Sequence, residues 1–397
     1  MSATTALTTT QAKDNFLPYH RALIGQEDID AVVQVLQSGW LTTGPRVREF
    51  EAAFARYTGA SHAVALGSCT AALHTSLAAI GIQEGDEVIL PTMTFASSGE
   101  VVFYLNARPV LVDCASDSFQ IDPAQIEERI TARTRAILPV HFAGAPCQMD
   151  SILAIARKYN LKVIEDAAHA LPTHYNGKMV GSLGDITCFS FYATKTITTG
   201  EGGMVTTENP EFAEKIRMLS LHGITKDAWK RYSAQGSWRY DIMEVGYKYN
   251  LTDLQAALGL TQLAKCDAML SRRAQIAQFY DTAIKSLDAF EVLPLPQDIG
   301  HAWHLYILQV APSVLRIDRD QVIDQLKQRG IGTSVHFIPL HLHSLYQKRL
   351  GYILGQFPNA EERFNRAISL PIYAAMTDAD ANRVVEALND IETKFRR

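Results

Sequence analysis

The chain has 397 residues, of which 47% are hydrophobic and 20% are charged, and its formal net charge is -5. This composition is typical of a globular protein with two domains, and the negative charge argues against broad electrostatic binding to nucleic acid. The five cysteines form no CxxC pair, which disfavours a disulfide framework or a zinc site and predicts a cytoplasmic protein. No apolar run approaches the length of a membrane-spanning helix.

The N-terminal part of the chain is predicted to alternate between strands and helices. Residues 1–16 are predicted to form a flexible tail. Two amphipathic helices follow at about 27–37 and 47–57, and the first carries its apolar residues Ile29, Val32, Val33 and Leu36 on one face. Strands are then predicted at 62–66, 87–90, 109–112, 135–140, 162–165, 187–191 and 204–206. Helices are predicted between them at 71–80, 97–105, 123–130 and 149–159.

This alternation predicts a mainly parallel sheet that is covered on both faces. The dipeptide Asn176-Gly177 predicts a tight hairpin, so part of the sheet is expected to be antiparallel. A long helix at about 252–286 is predicted to lead into a smaller domain, with strands at 304–310 and 333–337 and helices at 319–329 and 379–395. We therefore predict a large domain over 17–265 and a small domain over 266–397.

Two segments of the large domain have polar residues where ligands bind in α/β sheets. Ser68 and Cys69 lie between a strand and a helix, whose N-terminal N–H groups suit a phosphate. The alternative is that these residues only cap the N-terminus of the helix and bind no phosphate. Glu165 and Asp166 end a buried strand, where an aspartate can pair with a cationic ring nitrogen. Two solvated acids in a loop are the alternative.

Two further segments complete the set. Lys195 follows a strand in apolar and hydroxyl-rich surroundings, which can lower the pKa of an amine and make it a nucleophile, although most lysines are solvated surface charges. The run 200–203 contains three glycines, which let the backbone pass close to a bound group. Asn250 precedes a helix start at Thr252, and a capping turn is again the simpler explanation.

In their order, these segments resemble the sugar aminotransferases of the DegT/DnrJ/StrS type, a family of fold type I enzymes that use pyridoxal 5'-phosphate (PLP). The resemblance extends from Leu17 to the C-terminal helix, and the segments that carry it are 38–45, 165–169, 189–195, 200–203 and 249–252. Segments 140–146 and 246–250 are similar to the branch that makes UDP-4-amino-4-deoxy-L-arabinose. The resemblance implies an aspartate aminotransferase-like α/β fold, with a mainly parallel seven-stranded sheet and a smaller C-terminal α/β domain.

The resemblance also implies roles around the PLP ring. Lys195 is expected to bond covalently to PLP and to shuttle a proton during amino transfer. Asp166 is expected to pair with the pyridine nitrogen and keep it protonated, which makes the ring a better electron acceptor. Phe95 is expected to stack on the ring, although a core phenylalanine is equally possible, and His169 is expected to lie near the ring.

Further residues are implied around the phosphate and the substrate. Ser68, Cys69 and Ser190 are expected to bind the phosphate. Asn250 is expected to reach it from the partner subunit, which implies a homodimer with shared active sites. Substrate-side positions are implied for Lys248, His336 and His341. Although His343 adds a third histidine nearby, no metal role is expected, because the chemistry needs none.

The implied reaction takes the amine of L-glutamate and places it on a 4-keto sugar linked to UDP or dTDP. The products are a 4-amino sugar and 2-oxoglutarate. The cations and aromatic residues between His222 and Glu244 suit a nucleotide diphosphate and base, or belong to a solvated loop.

This sequence departs from the family pattern at two positions. Cys69 stands where many members have glycine, and Tyr192 stands where near relatives often have histidine. Other functions remain open: a sugar dehydratase of the same fold, in which histidine replaces the lysine, a non-catalytic PLP-binding regulator, and an unrelated α/β binding module.

Overall fold

A computed structural model describes residues 16–225, 240–295 and 299–397. Among these residues the helices are α1 (Gln26–Ser38), α2 (Pro45–Thr58), α3 (Cys69–Ala79), α4 (Ala96–Tyr104), α5 (Pro123–Ile126), α6 (Met149–Tyr159), α7 (Pro210–Leu219), α8 (Asp253–Ala264), α9 (Cys266–Ile284), α10 (Arg319–Gln328), α11 (Ser344–Leu350), α12 (Pro358–Arg366) and α13 (Asp378–Phe395). The strands are β1 (His62–Leu66), β2 (Glu87–Pro91), β3 (Arg108–Val112), β4 (Thr134–Ile137), β5 (Lys162–Asp166), β6 (His174–Tyr175), β7 (Lys178–Met179), β8 (Ile186–Ser190), β9 (Gly203–Thr207), β10 (Phe290–Glu291), β11 (Tyr306–Val310) and β12 (Ala367–Leu370).

The large sheet has seven strands in the order β1-β9-β8-β5-β4-β2-β3. Strand β9 is antiparallel to both of its neighbours, and every other pair is parallel. The prediction of a mainly parallel seven-stranded sheet is therefore confirmed. The predicted hairpin at Asn176-Gly177 forms, but β6 and β7 make a separate two-stranded ribbon. The antiparallel part of the sheet comes from β9 instead.

The C-terminal part of the chain contains a three-stranded antiparallel sheet in the order β10-β11-β12. The predicted strand at 333–337 is wrong, because only Ser334 forms a bridge, to Ser369. His336 bonds to the side chain of Ser369 instead of extending a ladder. The long helix predicted at 252–286 is interrupted at Lys265, between α8 and α9.

The first described residues pack against this C-terminal sheet. The backbone N–H of Leu17 donates to Gly330, the N–H of Gly332 donates to Leu17, and the Leu17 side chain lies in the core that covers the small sheet. The domain boundaries at 17 and 265 stay predictions. No helix in the described ranges is both long enough and apolar enough to cross a membrane.

Helix α1 turns its apolar face outward. Ile29, Val33 and Leu36 are 49%, 40% and 54% exposed, respectively. The helix is held from its other side by Asp28, which is buried and accepts hydrogen bonds from Thr261 Oγ1 (2.6 Å) and Gln262 Nε2 (3.0 Å) of α8. An amphipathic helix anchored by its polar face leaves an apolar stripe open to solvent in the single chain.

Candidate active site

Asp166 is the last residue of β5, at the carboxyl end of the parallel part of the sheet. Its side chain is buried and accepts two hydrogen bonds, from Ser98 Oγ to Oδ2 (2.7 Å) and from the Ala168 N–H to Oδ1 (3.1 Å). Burial raises the pKa of this carboxyl group, and the two hydrogen bonds oppose that effect. None of the ion pairs found among the described residues includes Asp166.

Lys195 lies in the turn that follows β8, where its N–H donates to the carbonyl of Tyr192 (2.9 Å). The residue is half-buried, and the protein around it lowers the pKa of its amine to about 8. The cause is desolvation, while the charges of Cys69 and Asp166 act in the opposite direction. The structure thus brings the predicted lysine and aspartate into electrostatic contact.

The predicted phosphate loop lies at the start of α3. Ser68 caps this helix, because its Oγ accepts the Ala71 N–H at 3.0 Å and its carbonyl accepts the Ala72 N–H. The backbone N–H groups of Cys69 and Thr70 make no hydrogen bond within the described residues. They are the unpaired donors that an anion at a helix N-terminus uses.

Two neighbouring residues shape this loop. The Cys69 side chain points into the protein, with Sγ 3.7 Å from the carbonyl oxygen of Cys188, so its substitution for glycine leaves the loop surface free. A Cβ at Gly203 would lie 2.4 Å from the carbonyl oxygen of Ser68. Only a residue without a side chain allows β9 to approach the loop this closely. Gly203 is therefore required for β9 to pack against the backbone of the loop.

Aromatic rings form one wall beside the acid and the amine. Phe95, directly before α4, is 58% exposed, and its ring centroid lies 5.5 Å from that of Phe337. His169 stacks on Phe337 at 5.8 Å and lies 4.4 Å from the ring of His304. The Nδ1 atom of His169 accepts the N–H of Ala143 (3.2 Å). Burial moves the pKa of His169 well below its usual value, so the ring is neutral.

The remaining cofactor-side residues lie close to the loop. Ser190 ends β8, and its Oγ is 3.4 Å from the N–H of Tyr192. Asn250 forms a bridge with Leu66 of the same chain, and its Nδ2 donates to Thr43 Oγ1 at 2.7 Å. The Asn250 Oδ1 accepts a hydrogen bond from Lys248 Nζ. A contribution of Asn250 to a partner subunit stays a prediction.

The predicted substrate-side histidines occupy different positions. His336 is half-buried with Nδ1 2.8 Å from Ser369 Oγ, and burial lowers its pKa to about 4. His341 is fully buried, and both ring nitrogens are already bonded, to Thr92 Oγ1 (2.7 Å) and Glu361 Oε1 (3.0 Å). Both ring nitrogens of His341 are thus bonded within the protein, and neither is available to a substrate.

Residues 22–389 match the DegT/DnrJ/EryC1/StrS aminotransferase family. The chain belongs to this family. It is 51% identical over 383 residues to the spore coat polysaccharide biosynthesis protein SpsC of Bacillus subtilis, covering 96% of this chain and 98% of that protein.

Two solved structures extend the likeness to sugar aminotransferases. The first is the putative sugar aminotransferase Spr1654 of Streptococcus pneumoniae in its PMP form, with a TM-score of 0.89, 35% identity, and coverage of 95% of this chain and 99% of that chain. The second is PseC of Helicobacter pylori, an aminotransferase involved in the biosynthesis of pseudoaminic acid, with a TM-score of 0.88, 29% identity, and coverage of 96% and 100%. The predicted fold type is confirmed, while the branch specific for UDP-linked arabinose stays a prediction.

The family is PLP-dependent, and Spr1654 is also known in a PLP form. The prediction of the cofactor is therefore confirmed at the level of the family. The residues of this chain fit such a group. Asp166 is a buried carboxylate that forms no direct ion pair in the described part of the chain, Lys195 is an amine of lowered pKa, and the N-terminus of α3 has free N–H donors.

Sequence reasoning missed several residues of the site. Ser98 lies three residues after Phe95, and its position in the first turn of α4 is the only signal in the sequence that it reaches Asp166. His20 and His304 carry no local motif. Burial lowers the pKa of both rings and the charge of Lys195 adds to that effect, so packing between distant segments brings them near the amine, which spacing along the chain does not show.

The cationic and aromatic residues predicted for nucleotide binding fall largely outside the described residues, because positions 226–239 are not among them. In the described ranges, no group of three or more histidine, cysteine or acidic side chains is arranged to hold a metal ion.

Proposed function

We propose that this protein is a PLP-dependent aminotransferase that moves the amine of L-glutamate onto a 4-keto sugar linked to UDP or dTDP. The products are a 4-amino sugar and 2-oxoglutarate. The observation that carries the proposal is the electrostatic coupling of a buried acid, Asp166, with an amine of lowered pKa, Lys195, at neighbouring strand ends. The names of the relatives in polysaccharide and pseudoaminic acid biosynthesis support a sugar substrate.

Lys195 serves as the nucleophile and the proton carrier. Because its pKa is about 8, a substantial fraction of the amine is neutral and reactive near neutral pH. Bound PLP supplies an aldehyde for amines to add to and a ring that accepts the electron pair of a broken C–H bond. Once a substrate amine had taken the place of Lys195 on the cofactor, the Lys195 amine would be free to carry the proton at the reacting carbon.

Asp166 holds the proton on the ring nitrogen. Ser98 and the Ala168 N–H orient its two oxygens, so the carboxylate is fixed before a ligand arrives. A cationic ring nitrogen would supply the direct ion pair that this buried acid does not form within the described chain. Phe95 would stack on the ring and His169 would lie near it, where the neutral state of His169 adds no charge.

The start of α3 would hold the phosphate. The N–H groups of Cys69 and Thr70 and the partial positive charge of the helix N-terminus would bind it, with Ser68 and Ser190 beside them. The homodimer buries the exposed stripe of α1 formed by Ile29, Val33 and Leu36. In that assembly, Asn250 and Lys248 complete the site next to the phosphate and the substrate.

The first test asks whether Lys195 binds PLP. The purified protein should be yellow, and borohydride should bleach the colour and attach the cofactor mass to the peptide that contains Lys195. An uncoloured protein that does not take up PLP would overturn the proposal. Glutamate alone should then convert the absorbance to that of the pyridoxamine form, which a regulator or a dehydratase need not do.

The second test concerns the acceptor. A panel of 4-keto nucleotide sugars should include UDP- and dTDP-linked pentoses and deoxyhexoses, with product stereochemistry read by NMR. Amine transfer to one of them at a kcat near 1–100 per second, roughly the common range for enzymes, supports the proposal. Turnover only with keto acids would exclude a sugar acceptor.

A further inference from the structure

Loop 336–341, in the C-terminal part of the chain, is fastened to segment 92–98, which directly follows β2. The backbone N–H of Leu340 donates to the carbonyl oxygen of Thr92 (2.8 Å), and Thr92 Oγ1 lies 2.7 Å from Nδ1 of His341. Thr92 and His341 are both fully buried. Because water does not compete for these hydrogen bonds, they fix the position of one segment relative to the other.

The second nitrogen of His341 shows which atom donates each bond. Nε2 lies 3.0 Å from Oε1 of Glu361 in α12, and the same oxygen accepts the backbone N–H of Gly355 (2.7 Å). An ionised carboxylate only accepts hydrogen bonds, so Nε2 carries the ring proton. Burial lowers the pKa of His341, so the ring is neutral and Nδ1 is an acceptor. The Thr92 hydroxyl therefore donates to Nδ1.

Segment 92–98 also reaches the acid of the proposed site. The Ser98 hydroxyl donates to Asp166 Oδ2 (2.7 Å), so its only proton is used there. Thr94 Oγ1 lies 2.8 Å from Ser98 Oγ and is therefore the donor to Ser98. The Thr94 N–H donates in turn to the carbonyl oxygen of Thr92 (3.2 Å). Consecutive hydrogen bonds thus connect the acid with the residue that His341 holds.

We propose that His341 is a positioning residue for amine transfer and that it acts by holding segment 92–98 in place. Both of its ring nitrogens are bonded within the protein, so it does not touch a ligand itself. Phe95 would stack on the cofactor ring and Ser98 orients Asp166, so both contacts depend on this segment. A misplacement of about 1 Å can cost about 100-fold in rate. This inference rests on the proposed function.

The main test compares Thr92→Val with Thr92→Ser in enzyme loaded with PLP. Valine fills nearly the same space as threonine but leaves Nδ1 of His341 without a donor, whereas serine keeps the hydroxyl. In stopped-flow absorbance, the maximal rate at which glutamate converts the cofactor should fall by about 10- to 100-fold in Thr92→Val. The half-saturating glutamate concentration should stay near the wild-type value, because segment 92–98 would orient the ring and Asp166 rather than bind glutamate. Thr92→Ser should recover most of the lost rate.

A second pair of variants tests His341 itself. His341→Leu removes both ring nitrogens, and His343→Leu, at an exposed position two residues further along, is the matched control. His341→Leu should lower the maximal rate per bound PLP by a similar factor, and His343→Leu should leave it unchanged. A role in stability alone would lower the melting temperature or the amount of bound PLP without changing the rate per bound PLP, and that result would contradict the proposal.

The outcomes separate this inference from the proposed function. If His341→Leu does not fold, the two Thr92 variants decide, since each of them exchanges or removes a single group. Wild-type rates in Thr92→Val, or equal losses in Thr92→Val and Thr92→Ser, would overturn the positioning role of His341. The proposed function would then stand, because glutamate still converts the cofactor. A wild-type enzyme that glutamate does not convert would instead contradict the proposed function.

Discussion

Strand β5 ends in two neighbouring acids that face opposite sides of the sheet and have opposite surroundings. Glu165 is fully buried, and three donors satisfy it: the Gly184 N–H and Thr187 Oγ1 at Oε1, each at 2.8 Å, and His141 Nε2 at Oε2, also at 2.8 Å. Asp166 is also buried, but it has two donors and a raised pKa. Adjacent strand residues alternate between faces, so one strand end can serve two purposes.

The difference indicates which acid is structural and which is available for a ligand. The network of Glu165 is closed, because the Nδ1 atom of His141 accepts the Cys147 N–H at 3.0 Å and leaves only Nε2–H to donate. Asp166 accepts only two hydrogen bonds among the described residues and has a raised pKa, so a nearby cation would stabilise its charged form. A buried polar group that the protein itself leaves incompletely compensated is a better indicator of function than burial alone.

The largest expected effect is a loss of turnover, and it comes from changing Lys195, on the same side of β5 as Asp166. In Lys195→Ala, turnover should fall by at least about 1000-fold, since one amine provides both the covalent link and the proton transfer. Borohydride should no longer attach PLP to the protein. The melting temperature without cofactor should not fall, because a desolvated amine is removed. Lys162→Ala, which breaks the contact with Asp185 at the opposite end of β5, should keep full activity.

Asp166→Asn should keep the fold and the yellow colour but slow amine transfer by about 100-fold or more. The amide is neutral and no longer holds a proton on the ring nitrogen. The fold should tolerate the change, because the Ser98 hydroxyl can rotate to accept a hydrogen bond from the new amide group. Stopped-flow absorbance with glutamate measures the rate, and Asp150→Asn is the surface control. Wild-type rates in Asp166→Asn would contradict its assigned role.

Glu165→Gln should show the reverse pattern, with lost stability and retained chemistry. The new NH2 group must face either the Gly184 N–H or the His141 Nε2–H. If the His141 proton moved from Nε2 to Nδ1, the conflict would arise at Nδ1 instead, because two N–H groups, those of Nδ1 and Cys147, would then face each other. An unsatisfied buried donor costs about 1–3 kcal/mol in the free energy of unfolding, which urea titration measures. Glu127→Gln, at an exposed partner of Lys158, should change the free energy of unfolding far less, because solvent screens an exposed ion pair.

Much of the Asp166 side could be predicted from sequence because its parts are local. Apolar strands alternating with helices define a parallel sheet, and chemically suited residues follow the strand ends. The same pattern predicted β5 and β8, as the structure confirms, and Ser68 caps α3, as the simpler explanation of that segment expected. A strand end is visible in a few consecutive residues.

The parts that sequence did not predict depend on long-range contacts. Segment 333–337 alternates like a strand but is held by one bridge and by the bond from His336 to Ser369. Helix α1 shows an apolar face, but Asp28 decides which side meets the protein, through α8 residues more than 200 positions away. Arg273 is likewise buried by contacts far along the chain, because its guanidinium donates to the carbonyls of Trp303, His304 and Ile372.

The smallest expected effect tests whether the two acids act independently on the lysine. In cofactor-free protein, labelling of Lys195 with acetic anhydride, followed by mass spectrometry, should be half-maximal near pH 8, below the value of about 10.4 for a lysine in a model peptide. The negative charge of Asp166 stabilises the protonated amine, so Asp166→Asn should lower this midpoint further. Glu165 is not among the charges that act on Lys195, so Glu165→Gln should leave the midpoint in place. Equal shifts of the labelling midpoint in the two variants would show that the two faces of β5 are electrostatically coupled. The assignment of a structural role to Glu165 and of a ligand-binding role to Asp166 would then be wrong.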